Sequence, residues 1–448
     1  LEKPVVDDEF LQRHKHKIIY LRREYLKDSE GSYRTVYSLW IAPPDGSDQR
    51  FISYCSVGSA LLPVLAPTVS PDQRKVVFAG LEEDAAARLG LTQQTGLWLF
   101  DLEKNQKRLL TSQRVAKILW SDDSRYLYFE RGVHGVFKLD AENASMTQIL
   151  PLGSLEQTQE PSGETFVWGN TVTLHSINGQ RLLYTRRSYR MEAKRVEAQG
   201  SRTVLRAVGQ PDLCHIWLMD LSTNRTRRLC PGEEPLFSPN GRYVVFRRGR
   251  ELWALDEELK KEKRLGVGNY PAFSPDGRRV AFVDAGAYGN SYGWVNMCVA
   301  DLTEGTASPV PLAADWQEVM ATLVPNFKRS FASIGYFNER PKILWLADGE
   351  KVLYTVGYAT VFLADLGKNK AEPLFTWLQV SPQLEYIDVN RCSLVLSSPM
   401  VKTPRRQTHP LSSSGWLQEE DIWEVSLDGK TRKMLIENGS SPQMVVAP

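Results

Sequence analysis

Residues 285–295, AGAYGNSYGWV, contain Gly289-Asn290-Ser291-Tyr292-Gly293. This matches G-x-S-x-G, the turn that raises a serine nucleophile above the sheet of an α/β-hydrolase. Such a serine needs a strand before it, a helix after it, and an acid and a histidine further along the chain. The strand is there, in RRVAFVD. The helix is not, because GWVNMCVADL reads as another strand. One histidine follows, His409, within the Pro- and Ser-rich MVKTPRRQTHPLSSSGW. A hydrolase domain of roughly 200 residues does not fit in what remains. Ser291 is therefore read as a chance match. No catalytic residue is assigned, and the chain is expected not to be an enzyme.

Other reactive constellations are sparse. No C-x-x-C, P-loop, H-E-x-x-H or EF-hand loop occurs. Asp-rich turns such as Ser121-Asp122-Asp123 resemble calcium ligands only superficially. His14 and His16 form a weak metal pair at an N-terminus expected to be mobile, and no metal site is assigned. Cys214 and Cys230 flank one expected hairpin, which leaves buried free thiols or a cross-strand disulfide. The net charge of +2 creates no field that calls for a nucleic acid. Hydrophobic residues at 42% and charged residues at 24% describe a globular chain. No run approaches the ~18 apolar residues of a membrane span, and no signal peptide is visible.

The elements that carry these residues come from a repeat. PLFSPNGRYVVFRRGRELWALD (235–256) aligns with PAFSPDGRRVAFVDAG…WVNMCVADL (271–302) and PTVSPDQRKVVFAG…GLWLFDL (67–102). Weaker copies begin near 117, 172, 342 and 386. Each copy reads as four short strands. The Ser-Pro-Asp-Gly turn joins the first two: Pro presets one angle, Asp binds its own backbone, and Gly takes the positive φ. Four-stranded units repeated in this way predict an all-β fold, a β-propeller. Lys17-Ile18-Ile19-Tyr20-Leu21 reads as a second strand with no first. SPQMVVAP (441–448) reads as a first strand with no second. Joined in one blade they would close a ring of eight blades, with seven as the alternative. The expected organisation is an extension over 1–16 and a single propeller over 17–448. Trp40, Trp98, Trp217, Trp253 and Trp423 recur at one repeat position and are expected to pack between blades.

The S-P-D-G-[RK]-x-[VI]-[AV]-F and [LI]-W-x-x-D-L patterns resemble the TolB-like propeller repeat. They are similar, more loosely, to the propellers of prolyl oligopeptidase-type peptidases. The resemblance covers most of the chain and is specific in about three copies. It implies a non-catalytic scaffold that binds another protein in a periplasmic or extracellular assembly. It implies no cofactor, although a channel ion such as calcium is compatible with it. Two features depart from the family: TolB's own α/β domain has no counterpart here, and neither has a peptidase's hydrolase domain.

In a propeller the loops joining strands one to two and three to four share a face. Here these are uniformly tight. The excess length falls on the other face, at 24–36, 81–96, 151–168, 187–212, 285–293, 313–341 and 399–420. Insertions confined to one face of a rigid scaffold indicate a binding surface. Loop 187–212 carries Arg187, Arg190, Lys194 and Arg195, and its YRMEAKRVEA part is expected to be a short helix, with Glu192 and Arg195 at i,i+3. Loop 81–96 is also expected to be helical. Loop 399–420 adds Arg405, Arg406 and Trp416, and Tyr288 and Tyr292 flank Ser291. These residues are the expected contacts for a partner protein with an acidic segment, since Tyr, Trp and Arg are the usual interface anchors. An enzyme or glycan-binding lectin with a site at the channel mouth is the alternative, and the propeller part of a larger peptidase is a third reading. Ser291→Ala is expected to leave partner binding intact, while Tyr288→Ala with Tyr292→Ala weakens it in a pulldown.

Overall fold

The structure, a computed structural model, describes the chain except residues 1–2, 28–32, 58–65, 82–94, 114, 132–133, 152–155, 160–164, 197–201, 285–295, 306, 312–341, 357–359, 377–382, 389–392, 400–419 and 447–448. Among the described residues the strands form eight antiparallel sheets, seven of four strands and one of five. This is the make-up of a β-propeller. Sheet 1 takes Gly439–Val446 from the end of the chain and pairs it with His16–Lys27, Tyr33–Ala42 and Arg50–Val57. Sheets 2 to 8 follow in order over 68–111, 116–150, 156–231, 233–267, 269–310, 343–376 and 383–436.

The turns form as their residues dictate. In sheet 6, Ser274 Oγ donates to Asp276 Oδ1 at 2.6 Å and accepts from Arg279 N at 2.9 Å, and Gly277 sits at φ +70°. The Ser274 hydroxyl and the Arg278 amide hold the Asp276 carboxyl below its usual range. Ser70, Ser121 and Ser238 repeat the device in sheets 2, 3 and 5. A second device ends strand three. The Asp256 carboxylate accepts from Glu258 N and Leu259 N at 3.0 Å and pairs with Arg242 at 2.9 Å. Glu257 N then donates to Arg242 O at 3.0 Å, which joins the two turns of the sheet. The same amide-to-carbonyl link recurs from Leu102 to Arg74, Ala141 to Arg125, Leu221 to Gln180, Leu302 to Arg278 and Leu366 to Glu350.

Strands two and three set aromatic residues directly opposite one another: Tyr20 with Trp40, Phe78 with Trp98, Phe129 with Phe137, Tyr184 with Trp217, Phe246 with Trp253, and Tyr354 with Phe362. Cross-strand aromatic pairs of this kind each contribute roughly 0.2–1 kcal/mol relative to Ala–Ala. The chain divides into two compact units, Leu1–Gln113 with Leu265–Pro448, and Arg114–Arg264. In the first, apolar clusters fill the space between sheets 6 and 7, 7 and 8, 8 and 1, and 1 and 2. In the second they lie between sheets 3 and 4, and 4 and 5. The five repeated tryptophans all pack in or against these clusters, as expected.

The N-terminal segment differs from its expectation of mobility. A helix spans Asp8–Arg13, capped by Asp7, whose carboxylate accepts from Phe10 N at 2.7 Å. Phe10 and Leu11 are buried in the cluster between sheets 1 and 2. Burial of two large apolar side chains outweighs the entropy of ordering one short turn. No group of three His, Cys, Asp or Glu able to hold a metal occurs among the described residues.

Asp256→Ala removes the acceptor of two amides and of Arg242 together. The expected loss is about 0.5–2 kcal/mol, the range of a lost cap, read from the urea midpoint at unchanged m. Asp256→Asn keeps an acceptor oxygen and loses less.

Candidate functional site

Sheet 4 is where the repeat is broken. Its strands Arg181–Val196 and Arg202–Asp220 run 16 and 19 residues, against 6 for Tyr243–Arg248 and 6 for Glu251–Asp256 in sheet 5. At ~3.3 Å per residue, 16 residues span on the order of 50 Å and six about 20 Å. Pairing runs from Arg181↔Asp220 to Ser188↔Leu213, shifts at a bulge, and resumes from Arg190↔Val208 to Val196↔Arg202. Thr165–Asn178 follows as far as Val167↔Met191, and Glu156–Gln159 adds outside it at Glu156↔Trp168. Beyond its blade, sheet 4 therefore carries a second tier of four paired strands.

This corrects the reading of 187–212 as a loop with a short helix. In the strand, Glu192 stands in register with Arg206 across the pair, not beside Arg195 one helical turn on. The partner strand RTVLRAV is rich in β-branched residues and pairs with 190–196. That outweighs the weak local helix preference of MEAKRVEA. Residues 24–27 and 33–36 are likewise strand, with Glu24↔Val36 and Tyr25↔Thr35 in register.

The expected contact residues fall into three groups. Arg187 is tied into its neighbour: Nη2 lies 3.1 Å from Glu233 Oε1, and Glu233 Oε2 takes Arg247 at 2.8 Å. It is therefore part of the junction between sheets 4 and 5. Arg190, Lys194 and Arg195 occupy the second tier, opposite Val208, Val204 and Thr203. Tyr288, Tyr292, Arg405, Arg406 and Trp416 lie outside the described residues, as do Ser291, His409 and most of loop 81–96.

A feature the sequence reading missed lies at the head of the first strands. Pairing shifts by a bulge between Ala116 and Ile118 in sheet 3, Leu174 and Ser176 in sheet 4, Glu233 and Leu236 in sheet 5, and Asn269 and Ala272 in sheet 6. Lys117, Glu234 and Tyr270 there take left-handed φ values of +40°, +51° and +56°. Such a conformation is uncommon and costly for residues other than glycine, and bulges of this kind re-aim a side chain. A signal existed: Glu234-Pro235 and Tyr270-Pro271 place a proline, which cannot donate to a ladder, at the same repeat position.

In the second unit these bulges bring Lys117, His175 and Glu234 to the same ends of sheets 3, 4 and 5 as Arg187, Cys214 and Arg247. His175 Nε2 is 2.9 Å from Thr185 Oγ1. Burial, with the charges of Lys117 and Arg187, pushes His175 down to about 3, so its ring is neutral near pH 7. Burial pushes the Glu130 carboxyl up, against a hydrogen bond from Leu174 N and the charge of Lys117. Cys214 is also raised by burial, with Arg187 opposing, and both it and Cys230 are free thiols. The result is a mixed-charge polar margin in which the neutral imidazole and the Thr185 hydroxyl contact each other among flanking ions.

His175 also links pH to stability. Its folded value lies below its unfolded one, so its contribution is fully present above about pH 6.5 and is lost as pH falls toward 3. At ~1.4 kcal/mol per pH unit, its share lost between pH 6.5 and 5 is about 2 kcal/mol. His175→Gln is expected to remove that share of the pH dependence in urea titrations at the two pH values.

No family model and no curated protein sequence matches the chain. Solved structures of similar fold include an oligogalacturonate lyase in complex with manganese, 12% identical over 97% of this chain and 98% of that one, TM-score 0.45. The dihydro-heme d1 dehydrogenase NirN in complex with DHE is 13% identical over 100% and 78%, TM-score 0.47. The β-propeller domain of the Trilobed protease from Pyrococcus furiosus is 12% identical over 98% and 98%, TM-score 0.42. Likeness at this level concerns the fold and assigns this chain no activity. It does correct the expectation that the chain is not an enzyme: proteins of this fold include a lyase and a dehydrogenase, so absence of a nucleophile elbow is no ground for excluding catalysis.

Proposed function

We propose that this chain is a TolB-like propeller that binds an acidic segment of a partner protein along the second tier of sheet 4. The observation that carries the reading is the lengthened pair Arg181–Val196 and Arg202–Asp220. It sets Arg190, Lys194, Arg195, Arg202 and Arg206 on adjoining strands whose only acidic residue over 188–196 and 202–208 is Glu192. Opposite charge across such a surface speeds encounter and fixes register. The loops that carry Tyr288, Tyr292, Arg405, Arg406 and Trp416 join strands two and three of their own repeats, as the second tier does in sheet 4. A periplasmic or extracellular assembly is the setting that the repeat's resemblance supports, and the reading requires no cofactor.

A second reading has its own observation. The left-handed bulges at Lys117 and Glu234, beside neutral His175, favour a small polar ligand such as a glycan, bound or chemically altered at the heads of the first strands.

The charge reversals Arg190→Glu, Lys194→Glu and Arg195→Glu, made together, test the first reading. Copurification of the partner is expected to fall at least tenfold, and the wild-type complex to weaken with salt. Capture unchanged by the reversals contradicts it. A screen of glycans in which binding is lost with Lys117→Ala and His175→Gln favours the second.

A further inference from the structure

Tryptophan–cation contacts recur along the repeat. Lys107 lies 5.5 Å from the Trp98 ring and Arg248 4.9 Å from Trp253. Each of these packs a cationic stem against an indole at a sheet edge, which is ordinary surface cover. Sheet 1 differs in kind. The Lys3 ammonium lies 4.3 Å from the Tyr54 ring centre, 4.8 Å from Phe51 and 5.6 Å from Trp40. All three are within the ~6 Å reach of a cation–π attraction. Among the described residues no other ammonium meets three rings. A carboxylate completes the ring of contacts, because Lys3 Nζ is also paired with Glu24.

The walls also contact one another. Trp40 and Phe51 stand edge to face at 5.6 Å, and Phe51 and Tyr54 at 5.0 Å. Glu24 accepts from the Ser38 hydroxyl and from Trp40 Nε1 at 3.3 Å, and Trp40 Nε1 also donates to Ser38 Oγ at 2.8 Å. The carboxylate is thus held by groups of its own sheet. Lys3 comes from outside that sheet. Its segment adds to the edge strand Arg50–Val57 by one parallel bridge, Val5↔Phe51, with Phe51 N donating to Pro4 O at 2.7 Å and Val6 N to Phe51 O at 3.1 Å. The next anchor is Val6, whose side chain is buried, so residues 3–5 hang from the edge by few bonds.

We propose that Trp40, Phe51, Tyr54 and Glu24 form a binding site for an alkylammonium group, which Lys3 of the same chain fills. Three π faces and one carboxylate suit an N-methylated ammonium better than a bare one. Methyl groups spread the charge over an apolar surface that the rings cover, and they remove N–H groups that would otherwise seek hydrogen bonds. Lys3 therefore acts as an internal competitor. A ligand need displace only the Lys3 side chain, leaving the edge bonds of Pro4 and Val6 and the helix at Asp8–Arg13 in place.

The full chain is titrated with choline, and separately with a peptide carrying trimethyllysine, at constant ionic strength, with tryptophan fluorescence as the readout. Lys3→Ala is expected to bind at least one of these tenfold more tightly than the wild type. Adding Tyr54→Ala, or Glu24→Gln, to Lys3→Ala is expected to weaken that binding at least fivefold. Glu24→Gln keeps an acceptor for Ser38 and Trp40, so it gives the answer even where Tyr54→Ala lowers stability. Preference for the peptide assigns the site to a partner's side chain, and preference for choline to a free cation. The proposal is overturned if Lys3→Ala binds neither probe more tightly than the wild type, or if binding ignores both cage substitutions.

Discussion

Each sheet from the second to the seventh is locked at one end by a short polar circuit. The aspartate ending strand three collects the amides of its own turn. The next residue's amide then reaches the carbonyl of the turn between strands one and two, as Leu302 reaches Arg278. Both turns at that end are fixed in length by this link, since an added residue would break the register of carboxylate, amide and carbonyl together. Among the described residues the other end shows no such repeated circuit. Length can be added there without disturbing the lock, and that is where sheet 4 grows its second tier and where the first strands carry their bulges.

This division explains which parts were legible in the sequence. Ser274-Pro275-Asp276-Gly277 and its copies announce the locked end, because each residue type has one conformational task there. The aromatic of strand two and the tryptophan of strand three announce the sheet interfaces. The second tier was not legible in the same way. MEAKRVEA has a weak helix preference taken alone, and only pairing with RTVLRAV makes its residues 191–196 a strand. The bulges were half legible. Pro235 and Pro271 mark the position, but nothing local says that Lys117, without a proline after it, takes the same left-handed turn as Glu234. Arg187 shows the opposite error: its charge suggested a free contact, whereas Glu233, distant in sequence and adjacent in space, pairs with it.

Two kinds of cationic chemistry therefore sit at different places on the fold. The second tier gathers cationic positions on paired strands. Sheet 1 instead gathers aromatic faces around a cation supplied by its own chain. Both arise where the four-strand repeat is extended, by lengthened strands in one case and by an added segment in the other. Neither depends on Ser291, whose G-x-S-x-G is followed by the strand Asn296–Asp301 of sheet 6 and not by a helix.

A binding role for the second tier requires that it be a paired surface in the free protein. Amide hydrogen exchange over 188–196 and 202–208 tests this directly. Paired strands predict protection approaching that of 181–187 in the same sheet. Exchange at the rate of an unstructured chain over those residues, with 181–187 still protected, would contradict the account.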